Sequence, residues 1–310
     1  EDLEEALAVL RSPLADPALL KIVHNGKYDL SVLARYGVEV GPLDDTMLLS
    51  YVLDGAKHGH GMDELARRHL DHETTPFEAV CGKGKDQITF DRAPVDKAAA
   101  YAAEDAEVTL RLWKVLKPRL VAEHLVSVYE TLERPLVPII AAMEAAGVLV
   151  DADILKRLTA DFTQRMAQLE DEATKLAGRP FNLGSPKQLG EILFDELGIA
   201  SGKKTKGGSH ATGAEVLEQL AAQGHALPQV ILDWRQLQKL TRTYTEALVE
   251  DVQPTTGRIH TSYMMAATST GRLSSTDPNL QNIPIRTDAG RKIRTAFVAE
   301  DGYALVSADY

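Results

Sequence analysis

Cysteine is nearly missing from this sequence: Cys81 is the one thiol in 310 residues. A lone thiol excludes an internal disulfide framework, suits a reducing compartment, and reads as inert packing rather than as a nucleophile. Long apolar runs are missing too. Nothing approaches the roughly 20 residues that a membrane span requires. The start, Glu1-Asp2-Leu3-Glu4-Glu5, is the opposite of a basic targeting segment. A soluble cytoplasmic protein with no membrane partner is expected. Basic charge is also in deficit, 34 Lys and Arg against 45 Asp and Glu for a net charge of −11, which at first argues against a polyanionic partner. The deficit is uneven, however. Residues 1–125 hold 15 basic and 22 acidic side chains, whereas residues 235–295 hold 9 basic against 5 acidic. The C-terminal third is locally basic, and such a patch can guide a phosphate backbone while the rest keeps the molecule soluble.

What is present is enough apolar sequence, 44% of the composition, to build two domains. Leu20 to Val23 reads as a short buried strand, Asn25-Gly26 as a turn, and Tyr28 to Tyr36 as a helix, an α/β beginning. Periodic apolar residues predict further helices at Asp45–Leu53, Gly61–Leu70 and Asp96–Leu116, the last stopped by Pro118. A domain boundary is placed near residue 125. Beyond it, Leu155, Leu158, Phe162, Met166, Leu169, Ala173 and Leu176 keep the spacing of one helical stripe, closed by Gly178 and Pro180. Ser185-Pro186-Lys187-Gln188 is a capping box with proline at the first helical position, and Thr212 with Glu215 repeats the device. Between the two, Gly202 to Gly213 reads as a basic loop. After residue 256 the period changes to the alternation of strands. Phe297-Val298, the Glu300-Asp301-Gly302 turn and Tyr303–Asp309 predict a hairpin that carries Asp309 at its end.

Two clusters could carry hydrolytic chemistry. In His24-Asn25-Gly26-Lys27-Tyr28-Asp29 a strand edge runs into a helix and puts Asp29 in its first turn. In Tyr101-Ala102-Ala103-Glu104-Asp105 the i,i+4 spacing sets the tyrosine hydroxyl and the Asp105 carboxylate on one helix face. Cleavage of a phosphodiester by two divalent ions requires carboxylates to hold the metals and a polar group to orient water. Asp29, Asp105 and Tyr101 supply these groups, although each alone reads equally as a helix-dipole partner or as packing. Together the clusters resemble the second and third motifs of the proofreading 3′-to-5′ exonucleases of the four-carboxylate type. That resemblance implies that Asp105 ligates one metal directly, that Asp29 acts on the second largely through water, and that Tyr101 positions the nucleophile. The family's first motif, an Asp-x-Glu pair on an upstream strand, is not found; Glu1 to Glu5 opens a helix instead.

Two further constellations suit nucleic acid. On a helix from Leu227 to Leu248, Val230, Trp234, Leu237, Tyr244 and Leu248 form an apolar stripe, with Arg235, Lys239 and Arg242 roughly opposite. This basic ridge reads as a phosphate-backbone contact or as a solvated face. Thr270 to Pro284 is dense in amides, hydroxyls and Arg272, a composition that suits hydrogen bonding to base edges from a structured loop. With Arg286, Arg291, Arg294 and the Val306-Ser307-Ala308-Asp309-Tyr310 run, this segment resembles the palm-domain entry and first catalytic motif of the bacterial family A DNA polymerases. The likeness extends in order over essentially all 310 residues.

The resemblance implies an α/β, ribonuclease-H-like exonuclease part, incomplete, over residues 1–125 and an N-terminal polymerase part over 126–310. The latter would comprise a mainly helical thumb (about 153–252) and the first antiparallel strands of a palm (about 256–310). It further implies that Asp309 coordinates the polymerase metals, and that Arg272, Asn279, Gln281 and Asn282 line the primer-template duplex. Arg286 would lie near the incoming nucleotide's phosphates, while Arg235, Lys239 and Arg242 belong to a thumb helix. The implied cofactor is Mg2+ in two-metal sites, with Mn2+ as a substitute; the implied partners are primer-template DNA and deoxynucleoside triphosphates, met by a monomer. The fingers and second palm carboxylate would lie outside these residues, so the 310 residues alone are expected to be inactive. The competing readings are a stand-alone 3′-to-5′ exonuclease and a catalytically silent DNA-binding protein. The first requires no polymerase-like strands after residue 256.

Overall fold

Glutamates in a first helical turn are favoured by the helix dipole, and Glu4 and Glu5 open α1 (Leu3–Ala15) in this way. The computed structural model describes residues 3–199 and 210–308. After α1, β1 (Lys21–Val23) pairs in parallel with β2 (Leu43–Asp45), matching Val23 to Asp45. Between them lies α2 (Gly26–Ala34), entered through Asn25 in the left-handed region (φ 57) that asparagine tolerates. Its first residue must be glycine-sized, because a Cβ on Gly26 would stand 2.4 Å from Val23 Cγ2. β2 runs directly into α3 (Thr46–Asp54), whose N-terminus is capped by the Asp45 side chain accepting from Met47 N. The helix is apolar nearly all round, as a buried helix must be. Its Leu48 and Leu49 pack with Leu65 of α4 (Met62–Leu70).

α5 (Phe77–Cys81) buries Cys81. α6 (Val95–Ala122) runs one turn beyond the expected stop at Pro118. A proline that close to a helix end removes a single ladder bond, and fully buried Leu116 and Leu120 on either side of it hold the last turn on the core. α7 (Val126–Val128), a π turn at Tyr129–Glu133 and α8 (Arg134–Ala146) complete this stretch. Tyr129, Val137 and Ile140 belong to the same apolar cluster as Leu48 and Leu112, so this core draws on residues from both sides of position 125.

β3 (Val148–Leu149) follows, then α9 (Ala152–Ala177), N-capped by Asp151 and ended by Gly178 at φ 76. The apolar stripe expected on α9 serves two clusters: Leu155, Leu158 and Phe162 in one, Leu169 and Ala173 in the other. α10 (Pro186–Gly190) has the expected cap, with Ser185 accepting from Gln188 N, and passes into a π turn at Glu191–Glu196. The Thr212–Glu215 box does not form at α11 (Ala214–Ala222), whose N-cap is Gly213 with no side-chain bond. Thr212 is buried instead, and its carbonyl accepts from Arg235 Nη1 at 2.6 Å. Most of the basic loop expected before it, residues 200–209, lies outside the described residues. α12 (Ala226–Leu240), a π turn at Thr241–Glu246 and α13 (Ala247–Glu250) form one continuous rod. β4 (Val252–Gln253) and β5 (Arg258–Ile259) then join β3 in an antiparallel sheet of order β3-β5-β4.

β6 (Ser262–Met264) pairs antiparallel with β7 (Ser274–Thr276), and α14 (Asp288–Arg294) follows, N-capped by Thr287. The chain divides into two units, Glu1–Gly147 with Thr261–Asn279, and Val148–His260 with Leu280–Tyr310. α14 is seated through Gly290, where a Cβ would stand 2.3 Å from the Pro284 carbonyl oxygen. Gly290→Ala is therefore expected to cost about 1–3 kcal/mol. Urea unfolding checks this: the midpoint falls while the slope stays fixed.

The strand expected at Tyr303–Asp309 is not formed: residues 303–308 carry no ladder, and Leu305 and Val306 are 67% and 89% exposed. Its expected partner is engaged elsewhere. Phe297 bridges to Val150, and Val298 N donates to the Leu149 carbonyl at 3.2 Å. An isolated two-stranded hairpin is only marginally stable in water.

Candidate active site and nucleic-acid interface

Parallel pairing of β1 and β2 brings the N-terminus of α2 against that of α3, and one carboxylate joins them. Asp45, 1% exposed, accepts from Asn25 N (3.1 Å), Gly26 N (2.8 Å) and Met47 N (2.9 Å). Burial raises its pKa against the pull of these amides. Asp29 sits in the first turn of α2 as expected. The residue is exposed, yet enough protein surrounds its carboxyl to raise the pKa to about 6, through desolvation first and the charge of Asp45 second.

On α6, Tyr101 and Asp105 act on each other: burial and then the Asp105 charge push the phenol up. The tyrosine ring meets Phe90 at 5.9 Å and Phe77 edge-on at 6.4 Å, which fixes where its hydroxyl can reach. Burial, then Asp63 and Glu104, raise Asp105. Asp63 is a residue that sequence reasoning missed, and its one signal was an acid in the first turn of α4. Thr74 Oγ1 donates to it at 2.7 Å. Its charge also acts on His24, which burial lowers to about 4 and whose Nδ1 lies 2.8 Å from Thr46 Oγ1. Glu104 is turned to structure instead, accepting from Thr75 N at 3.0 Å and contacting His72 Nε2 at 2.8 Å. The structure thus unites Tyr101 with Asp105 and gives each candidate ligand an acidic neighbour of its own, Asp45 for Asp29 and Asp63 for Asp105. Among the described residues these carboxylates do not converge into a group of three ligand atoms; what each pair offers a hard divalent cation is oxygen donors and local negative charge.

Behind β2, Asp44 is fully buried and fully engaged. Trp113 Nε1 donates at 2.8 Å, Lys117 Nζ at 3.2 Å, Tyr129 Oη at 3.2 Å and Arg134 Nη1 at 3.4 Å. Burial alone would raise its pKa; these donors together hold it below the usual range. Tyr129 Oη in turn accepts from Asp45 N at 2.9 Å, so this network fixes the strand end that carries Asp45.

The basic ridge on α12 and its π turn is less uniform than expected. Lys239 and Arg242 are exposed, whereas Arg235 is half-buried and bound to the Thr212 carbonyl. In the first unit, Arg272 is exposed, with its backbone held by Thr268 Oγ1, which accepts from Arg272 N (3.0 Å) and donates to its carbonyl (2.7 Å). Asn279 is exposed in the same unit. Within this polar segment Ser274–Thr276 is a strand rather than the expected loop, because Ser275 turns inward to meet Thr261 Oγ1 at 2.8 Å. In the second unit Gln281, Asn282 and Arg286 are exposed. The Asn282 carbonyl accepts from Tyr244 Oη at 2.6 Å, which anchors that loop to the rod. Asp309 lies outside the described residues.

Comparison with known proteins matches two stretches of the chain to family models. The family model for 3′-5′ exonuclease matches residues 2–121, and that for DNA polymerase family A matches residues 152–310. The chain is 56% identical over 308 residues to DNA polymerase I of Rhizobium leguminosarum, covering 99% of this chain and 30% of that protein. It is 50% identical over 313 residues to DNA polymerase I of Pseudomonas aeruginosa, covering 100% and 34%. It thus spans about a third of the length of these curated relatives. Among solved structures it resembles the POL domain of Pol1 from M. smegmatis in complex with DNA primer-template and dNTP. The TM-score is 0.81 at 36% identity, covering 97% of this chain and 49% of that one. No helix among the described residues is long and apolar enough to cross a membrane. With the polymerase model covering half of its residues and the exonuclease model most of the rest, the chain belongs to the family A DNA polymerases.

Proposed function

We propose that this chain serves a DNA-directed DNA polymerase with 3′-to-5′ proofreading, acting in replication and repair as a monomer at the cytoplasmic nucleoid. Residues 1–125 would be its exonuclease part and residues 126–310 its polymerase part, with the thumb at about 153–252 and the palm entry at about 256–310. The observation that carries the exonuclease reading is the pairing of accessible carboxylates with acidic neighbours, Asp29 beside Asp45 and Asp105 beside Asp63. Perturbed carboxylates cluster at functional sites. Asp29 and Asp105 would hold Mg2+, or Mn2+ in its place. When bound, that metal supplies an activated water and neutralises phosphate charge. Tyr101, fixed by Phe77 and Phe90, orients the water at its hydroxyl.

On the polymerase side Asp309 would take the catalytic metals. Arg272, Asn279, Gln281 and Asn282 would read the minor groove of the primer-template, whose acceptors suit arginine and amide donors. Arg286 would meet the phosphates of a deoxynucleoside triphosphate. Lys239 and Arg242 would grip the duplex backbone, while Arg235 supports the rod through Thr212. The expected result is specific: Lys239→Ala and Arg242→Ala each weaken duplex binding equally for all sequences and lower the salt slope by about 1. Fluorescence anisotropy of the 310-residue chain with a labelled duplex across a salt series measures this. An unchanged slope removes the ridge from the interface.

A further inference from the structure

We propose that Asp54, His58 and His69 form a binding site for a divalent transition metal of the zinc class, separate in its residues from the candidate exonuclease carboxylates. Asp54 ends α3, His58 lies in the connection that follows, and His69 is in the last turn of α4. One ligand atom from each lies within 4.8 Å of the other two.

Asp54 is paired with Arg119 and, at 3.5 Å, with Lys57, and the hydrogen bonds around the cluster leave its two imidazoles with nitrogens still to be engaged. His58 Nδ1 stands 2.7 Å from the Gly59 carbonyl, so Nδ1 carries the proton and donates. The Nε2 lone pair then faces the Asp54 carboxylate at 3.5 Å. A proton on Nε2 would satisfy these two groups alone. His69 decides the matter, because its Nε2 is buried without any hydrogen-bond partner. Buried polar atoms are almost always paired, and a metal ion at the centre would engage all three groups at once.

The surroundings also have the form that metal sites take. A ligating imidazole typically donates its other N–H to a backbone carbonyl, and a ligating carboxylate is itself hydrogen-bonded. His58 does the first. Asp54 has the second, with Arg119 Nη1 and Nη2 at 3.1 and 3.2 Å, and the guanidinium shares its charge with Glu123 at 2.8 Å. His60 has both ring nitrogens occupied, by Ser50 Oγ at 2.8 Å and the Gly55 carbonyl at 2.7 Å, so it braces the loop rather than ligating. Two imidazoles and one carboxylate select zinc over magnesium, which demands oxygen. Zinc bonds would draw the three atoms to about 3.3 Å apart, a contraction within reach of side-chain rotation. Bound metal would pin the α3–α4 connection.

The test uses the 310-residue chain, stripped by chelator and titrated with Zn2+ in excess Mg2+ by calorimetry. An Asp29→Asn/Asp105→Asn background removes the other carboxylates. One equivalent is expected to bind in that background, and His58→Gln and His69→Gln are each expected to weaken it about 100-fold. Binding that both variants leave unchanged, or none in the double-Asn background, overturns the site. Should either variant misfold, Co2+ added to the otherwise unaltered chain gives the decision. An intense visible band from nitrogen and oxygen ligation at low coordination supports the proposal, and its absence sinks it.

Discussion

Asp105→Ala is expected to reduce 3′ trimming by about 100-fold or more in the full-length polypeptide while primer extension stays unchanged. The estimate follows from losing a group that stabilises charge in the transition state, worth about 10² to 10³ in rate. Asp105 shares a helix face with Tyr101 and lies under the charge of Asp63, so its removal would take away the proposed ligand and lower the local negative potential that would attract the cation. Asp29→Ala is expected to act the same way from α2. Tyr101→Phe is expected to be milder, since the aromatic contacts with Phe77 and Phe90 survive and the hydroxyl alone is lost. Release of the 3′ nucleotide from a 5′-labelled primer under single-turnover conditions measures the effect. Trimming within a few-fold of the parent would remove Asp105 from the catalytic set.

Asp44→Ala is expected to destabilise the first unit by about 3 kcal/mol, because removing one member of a buried charged network leaves the others unpaired. Trp113 Nε1 and Tyr129 Oη would each lose an acceptor, and Lys117 and Arg134 would be left with Glu130, which they contact at 2.7 Å each. For a unit of this size the melting temperature falls by roughly 2–4 °C per kcal/mol. Differential scanning calorimetry reads the shift. A change below about 0.5 kcal/mol, the range of ordinary surface substitutions, would show that the network contributes no net stability. The effect on trimming is expected to be indirect, through the Tyr129 bond that steadies Asp45.

Much of this was legible because it is local. Asn25-Gly26 announced a turn, Ser185-Pro186 a capped helix, and the α9 stripe its buried face. What misled was local evidence overruled by packing: Pro118 continued because Leu116 and Leu120 anchor its turn, and Thr212 went inward rather than capping α11. The expected Tyr303 strand found no partner, and Phe297 bridges to Val150 instead. In the candidate site, Asp29, Tyr101 and Asp105 carried recognisable motifs. Asp63 and Asp44 did not, since their roles depend on partners far away in sequence, Tyr101 and Asp105 for one and Trp113 to Arg134 for the other. Pairing over such distances leaves no periodic trace in a single sequence.

The β6–β7 hairpin has a consequence for synthesis on the ribosome. Met265 fills the cluster built by Leu48, Leu49 and Leu112, and Tyr263, Ala266 and Leu273 pack beside it, yet Asn279 follows Gly147 by 132 residues. At about 5–20 residues translated per second, that gap leaves the apolar seat uncovered for roughly 7 to 26 s after the rest of the unit has emerged. A gene cut at Gly147 would make the exposure permanent, so the time this apolar surface stands open is set by where the hairpin falls in the reading order.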